Sequence, residues 1–79
     1  MLEEALSHLV RGIVDHPDDV DVRMRTNRRG RSLDVRVNPD DMGRVIGRGG
    51  RTATALRTVI TALNDDRGVR IDFLDVVER

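Results

Sequence analysis

Three glycines and two arginines meet in one short stretch, Val45-Ile46-Gly47-Arg48-Gly49-Gly50-Arg51-Thr52. Glycine has no Cβ, so another backbone can lie against it. Arginine is always charged and offers a planar fork of donors that matches phosphate oxygens. Ala53, Leu56, Val59, Ile60 and Leu63 follow at helical spacing, so the stretch opens a helix. A cationic glycine turn at a helix start suits a sugar-phosphate chain. Rival glycine motifs fail on spacing. A dinucleotide fingerprint beginning at Gly47 needs glycine where Thr52 stands, and a P-loop needs lysine at Arg51 and glycine at Val45. The bland alternative is a tight helix-helix turn, which does not call for arginines on both sides.

Other chemistry is thin. Asp40-Asp41 reads as helix capping and Asp65-Asp66 as a solvated turn. His8 and His16 do not form a metal pair: they stand at i and i+8, and Pro17 directly after the second ends the helix there. No Ser, His and Asp set stands out and no nucleophile is flanked by a base. We expect no catalysis, no cofactor, no metal and no small-molecule substrate. Cysteine is absent, which removes disulfide, redox and thiolate-metal chemistry.

The elements that must position the turn follow from periodicity. Leu2, Leu6, Leu9, Val10, Ile13 and Val14 make an amphipathic helix over residues 2 to 14, stopped by Pro17. Val20, Val22 and Met24 alternate with Asp21, Arg23 and Arg25 as a half-buried strand. After the turn Asn27-Arg28-Arg29-Gly30, Leu33, Val35 and Val37 give the return strand. Asn38 caps a short helix with Pro39 at its first position and Met42, Val45 and Ile46 inward; Gly43 within it predicts close packing of another element. A helix over residues 51 to 64 and a strand carrying Val69, Ile71 and Phe73 complete the order α-β-β-α-α-β, with Leu74, Val76 and Val77 as an apolar tail. The two-helix crossover should set the second and third strands parallel. The expectation is a two-layer α+β sandwich: helices on one sheet face, and Asp21, Arg23, Arg25, Asp34, Arg36, Arg70 and Asp72 in water on the other.

Seventy-nine residues make one domain, residues 1 to 79, with a thin core. That core must be aliphatic, since Phe73 is the single aromatic residue, and base stacking cannot dominate affinity. The formal net charge is zero, yet ten of the fourteen arginines lie between Arg23 and Arg57 against three acids, Asp34, Asp40 and Asp41. A basic middle between acidic ends points either to one charged face or to an ordinary solvated surface. Arg28, Arg29 and Arg31 at the hairpin tip form a second basic cluster, a secondary nucleic-acid contact or a device that keeps the loop soluble. No apolar run approaches a membrane span and no leader is evident, so a cytoplasmic chain is expected.

Ile46-Gly47-Arg48-Gly49-Gly50, placed between a short and a long helix, resembles the GxxG loop of a KH domain, and the element order is similar to the bacterial (type II) arrangement of that fold. The opening Leu9-Val10-Arg11-Gly12-Ile13-Val14-Asp15-His16-Pro17-Asp18 and the region Gly47 to Leu56 resemble the small stand-alone KH proteins of the KhpA (YlqC) family. The resemblance implies that Gly47 and Gly50 are the fixed glycines, and that Arg48 and Gly49 are the variable pair whose backbone clamps phosphates. It implies that Met42, Ile46 and Leu56 line or support a groove for about four nucleotides, with Arg44 and Arg51 near the backbone path. Ala53 stands where many eukaryotic KH domains have a larger aliphatic residue, which implies a shallower groove floor. The implied role is non-catalytic binding of single-stranded RNA, as an RNA chaperone or post-transcriptional regulator. The family also implies a homodimer, or pairing with a larger KH-containing protein of the KhpB or Jag type. The competing class is a dimerisation scaffold with little RNA affinity of its own.

Overall fold

The computed structural model describes residues 1–28, 30–64 and 69–75. Helix α1 (Leu2–Arg11) presents Leu6 and Val10 to the interior. It ends three residues before the apolar stripe does. From Gly12 the bonding tightens, with Ile13 N–H donating to Val10 O (3.0 Å) and Val14 N–H to the same carbonyl (3.3 Å). Ile13 and Val14 still pack on the core without being helical. A single 3-10 turn over Pro17–Asp19 then leads into the sheet.

Strands β1 (Asp21–Asn27) and β2 (Gly30–Val37) form the expected hairpin, and β3 (Val69–Asp75) lies parallel to β2. The sheet order is β1-β2-β3, so both β1 and β3 are edges. Between β2 and β3 the chain crosses through α2 (Met42–Ile46) and α3 (Arg51–Asn64). Leu33, Val35 and Val37 of β2 are fully buried, and Leu6, Val10, Val20, Val45, Leu56, Ile60 and Ile71 close around them. The core is aliphatic, with Phe73 only partly buried at its margin.

Two expectations are corrected by the packing. The inward stripe of α3 is Ala53, Leu56 and Ile60, whereas Val59 and Leu63 stay 42% and 62% exposed. Val59 lies about 100° around the helix from Ile60 and so faces away from the sheet. On the outer sheet face, register sets Arg23, Asp34 and Asp72 side by side, with Arg25, Ser32 and Arg70 in the next row. Asp34 is not in water: it is 5% exposed, because it sits on the central strand beneath longer neighbours. Arg25 Nε holds its Oδ2 at 2.8 Å. Among the described residues no helix is long and apolar enough to cross a membrane.

Candidate nucleic-acid interface

The joint between α2 and α3 is built by backbone chemistry. Asn38 caps the approach as the sequence predicts, its side-chain oxygen accepting from Asp40 N–H at 2.9 Å, with Pro39 following. Helix α2 lasts five residues and closes with Gly47 N–H on Gly43 O at 2.9 Å. Gly47 then turns to φ 78, ψ 168, a left-side conformation that residues with a Cβ rarely adopt. A Cβ there would also fall 2.7 Å from Thr52 N and 2.8 Å from Thr52 Cβ, so Gly47 is fixed by packing. One 3-10 turn over Arg48–Gly50 follows, closed by Gly50 N–H on Gly47 O at 3.1 Å. Gly49 and Gly50 also have positive φ, yet nothing lies within 4 Å of where their Cβ atoms would be. Those two glycines present open backbone. The N–H groups of Arg48 and Gly49 open the turn and so have no partner within it. Arg48 and Arg51 are exposed and pair with no acid among the described residues.

Beside this joint runs a groove of about 380 Å³. Ile46 and Arg57 bound it from the helices, and Ile71 and Phe73 from β3. The Arg57 guanidinium carbon stands 5.6 Å from the Phe73 ring centre, a cation over an aromatic face. The lining continues to Arg25, Asp34, Asp72 and Leu74, which alternate onto the other sheet face. The groove therefore follows the free edge of β3 and takes in both of its faces.

The loop-bearing helix is tied down on its far side by Asp41. This carboxylate is 1% exposed and accepts from Asp15 N–H (3.1 Å), His16 N–H (3.0 Å) and His16 Nδ1 (2.9 Å). Burial pushes the Asp41 carboxyl up. The Asp15 amide, the His16 ring and the His16 amide together outweigh that and hold it below its usual value. His16 is raised in turn, chiefly by its hydrogen bond to Asp41, against a smaller opposing desolvation and with help from the charges of Asp41, Asp40 and Asp19. Arg44 closes the cluster, with Nη2 on Asp15 Oδ2 at 2.9 Å and Nε 3.9 Å from Asp41 Oδ1. Asn38 Nδ2 donates to Asp19 Oδ2 at 2.9 Å and ties the same loop to the α2 cap.

A family model described as "KhpA/KhpB, KH domain" matches residues 3–74. The chain belongs to this KH-domain family. It is 68% identical over 76 residues to the RNA-binding protein KhpA of Streptomyces coelicolor, covering 96% of this chain and 95% of that protein. It is 61% identical over 72 residues to the RNA-binding protein KhpA of Mycobacterium tuberculosis, covering 91% and 89%. Against the RNA-binding protein KhpA of Halalkalibacterium halodurans identity is 42% over 76 residues, covering 94% and 100%.

In this KH domain Ile46, Gly47, Arg48, Gly49, Gly50 and Arg51 are contiguous at the α2–α3 joint. Leu56 is buried in the core beneath it and Met42 is partly buried against that core, so both support the joint rather than line the groove. Arg44 points into the Asp15 and Asp41 cluster. Gly43 is exposed with nothing within 4 Å, so the expected close packing of another element is absent; its exposure explains why no neighbour meets it. The hairpin arginines are elsewhere. Arg31 pairs in register with Val69 at the start of β3, the end where α3 finishes, so α3 separates that tip from the loop by roughly 20 Å. Arg28 is exposed there, Arg31 already has an interacting neighbour, and Arg29 lies outside the described residues, as do Val76 and Val77. Sequence reading missed Arg57, Ile71 and Phe73 as groove residues. The signal available was that β3, last in chain order beside β2, would be an edge.

Proposed function

We propose that this KH domain is a non-catalytic RNA-binding protein of the cytoplasm that clamps about four nucleotides of single-stranded RNA on the loop Gly47-Arg48-Gly49-Gly50. The carrying observation is the contrast within the loop: Gly47 is locked against Thr52, whereas Gly49 and Gly50 stand open between two arginines that pair with no acid among the described residues. Phosphates meet the Arg48 and Gly49 amides, Arg51 and the first turn of α3 attract them, and bases enter the groove between Ile46, Arg57 and Phe73. The relatives named RNA-binding protein KhpA support the ligand class. Arg28, Arg29 and Arg31 add weak secondary contacts to a longer strand. The role follows as an RNA chaperone or post-transcriptional regulator.

Affinity should be micromolar, since one small site with a single aromatic ring offers few contacts. Titrating a labelled short RNA at several salt concentrations tests the reading. The log-log slope should be about −0.7 per phosphate neutralised. A complex indifferent to salt counts against the clamp.

A second reading rests on α3, which docks through Ala53, Leu56 and Ile60 and leaves the large apolar side chains Val59 and Leu63 exposed. That strip favours self-pairing, or pairing with a larger KhpB or Jag-type KH protein, and a dimer would add avidity to the RNA site. Light scattering and RNA titration on one sample separate the two: a dimer without RNA affinity leaves only a scaffold.

A further inference from the structure

One carboxylate oxygen is out of place. Asp34 lies on the central strand with its side chain more than nine-tenths buried, and its Oδ2 takes the Arg25 Nε at 2.8 Å. Its Oδ1 is buried with no hydrogen-bond partner, the sole described side-chain atom in that condition. A buried acceptor left empty is unfavourable unless something else fills it. Its position is informative: Asp34 lines the groove that follows the β3 edge.

Asp34 also has a neighbour of its own kind. Asp72 is its register partner on β3 and lines the same groove. The Asp72 carboxylate has one partner among the described residues, Arg70 Nη2, at the long distance of 3.5 Å. Two carboxylates thus stand on adjacent strands, about 4.8 Å apart at the backbone, each with acceptor capacity left over. Arg25 and Arg70 flank them, so the patch as a whole does not repel a polyanion. Such a pair of acceptors calls for a ligand with two adjacent donors.

Among RNA bases guanine alone carries contiguous donors on its pairing edge, N1–H and the N2 amino group. Adenine and cytosine place an acceptor beside their amino group, and uracil flanks its one N–H with two carbonyls. We propose that Asp34 and Asp72 form a guanine-reading subsite, in which Asp34 Oδ1 and the Asp72 carboxylate accept the N1 and N2 hydrogens of a base carried over the β3 edge. Entry needs the Arg25 side chain to shift, and it is 67% exposed and tethered to Asp34 through one contact. An arginine of a protein partner also offers paired donors. The nucleotide is favoured because the two carboxylates line the same groove as Ile46, Arg57 and Phe73.

This subsite rests on the single-strand reading above, and the test keeps the two apart. Labelled UUGUU RNA is titrated against the same oligomer with inosine, which lacks only the N2 amino group, or adenosine at the centre. The expected result is roughly tenfold tighter binding of the guanosine oligomer. The guanosine-to-inosine ratio should fall to about one in Asp34→Asn and in Asp72→Asn. Asp72 is partly exposed, so its variant keeps the test alive if Asp34→Asn does not fold. Equal wild-type affinity for all three oligomers overturns the subsite and leaves the clamp standing, whereas no binding of any of them removes both. Guanine preference that survives in folded variants also overturns it. So does an arginine-rich peptide that shifts the Asp34 and Asp72 amide resonances when guanosine RNA does not.

Discussion

The arginines of the loop and the arginines of the sheet carry the same charge but not the same capacity. On the outer sheet face Arg23 is held by Asp21 at 2.8 Å, Arg25 by Asp34 at 2.8 Å and Arg70 by Asp72 at 3.5 Å. At the loop Arg48 and Arg51 meet no acid among the described residues. The difference explains how a chain of zero net charge leaves one stretch of its surface cationic. Internal pairing neutralises cations on the sheet face and leaves them uncompensated at the loop, where the backbone is open. Counting charges along the sequence does not reveal this, because pairing depends on which strands become neighbours.

The strongest way to break the comparison is Arg48→Asp with Gly49→Asp. Two carboxylates would replace a free cation and an open glycine, and Asp is among the few residues that tolerate a left-handed backbone such as the φ 63 of Gly49. RNA affinity should fall by about a hundredfold or more, while the melting temperature hardly moves. Unchanged affinity in a folded double mutant, read by anisotropy, places the clamp elsewhere.

Next in size comes a pair of glycines. Gly47→Ala should destabilise the domain by about 1–3 kcal/mol, through the clash with Thr52 and the φ of 78. Gly43→Ala should stabilise it by up to about 1 kcal/mol, since the site is helical and open. Denaturant midpoints decide, and equal shifts in the two variants would show that the loop is not locked at Gly47.

A smaller effect sharpens the contrast directly. Arg51→Ala should reduce the salt slope of RNA binding by about 0.7, whereas Arg23→Ala should leave it nearly unchanged. The stability change for Arg23→Ala should stay within about 1 kcal/mol, as for other exposed pairs. Equal slopes for the two variants would mean that ion pairing on the sheet does not decide which arginines meet RNA.

What could be read from the sequence follows a physical line. The Asn38 cap with Pro39, the hairpin and the parallel return of β3 rest on contacts between near neighbours or on strict alternation, and all are found. The glycine turn was legible as a turn, but only coordinates separate the locked Gly47 from the open Gly49 and Gly50. Local pattern makes Asp41 a capping acid; its main partners, Asp15 and His16, lie 26 and 25 residues away, beyond any local pattern. Alternation puts Asp34 in water because it reports the face and not the depth beneath neighbouring arginines. Leu56 was legible as apolar, yet whether it lines a groove or fills the core depends on how α3 rolls on the sheet.

The slightest effect concerns His16. Its value is raised from the usual 6.5 or so, so its pairing with Asp41 stabilises the fold in full below that value and loses the charged contribution as pH climbs through the raised one. Asp41 is lowered from about 3.8, so its contribution is present above that value and is lost as pH falls through the lowered one. The two together define a plateau between about pH 4 and 6.5, with a decline on either side. In His16→Ala the Asp15 amide still holds Asp41, so the acid-side decline should remain while the alkaline-side decline disappears. Thermal melts from pH 4 to 9 would then show wild type and variant furthest apart near pH 5 to 6 and converging above neutrality. A constant gap across that range would mean that His16 acts through its backbone and ring position alone. The loop-bearing helix would then be anchored by hydrogen bonds to the Asp41 carboxylate, with the charge on His16 adding as little as the ion pairs on the sheet.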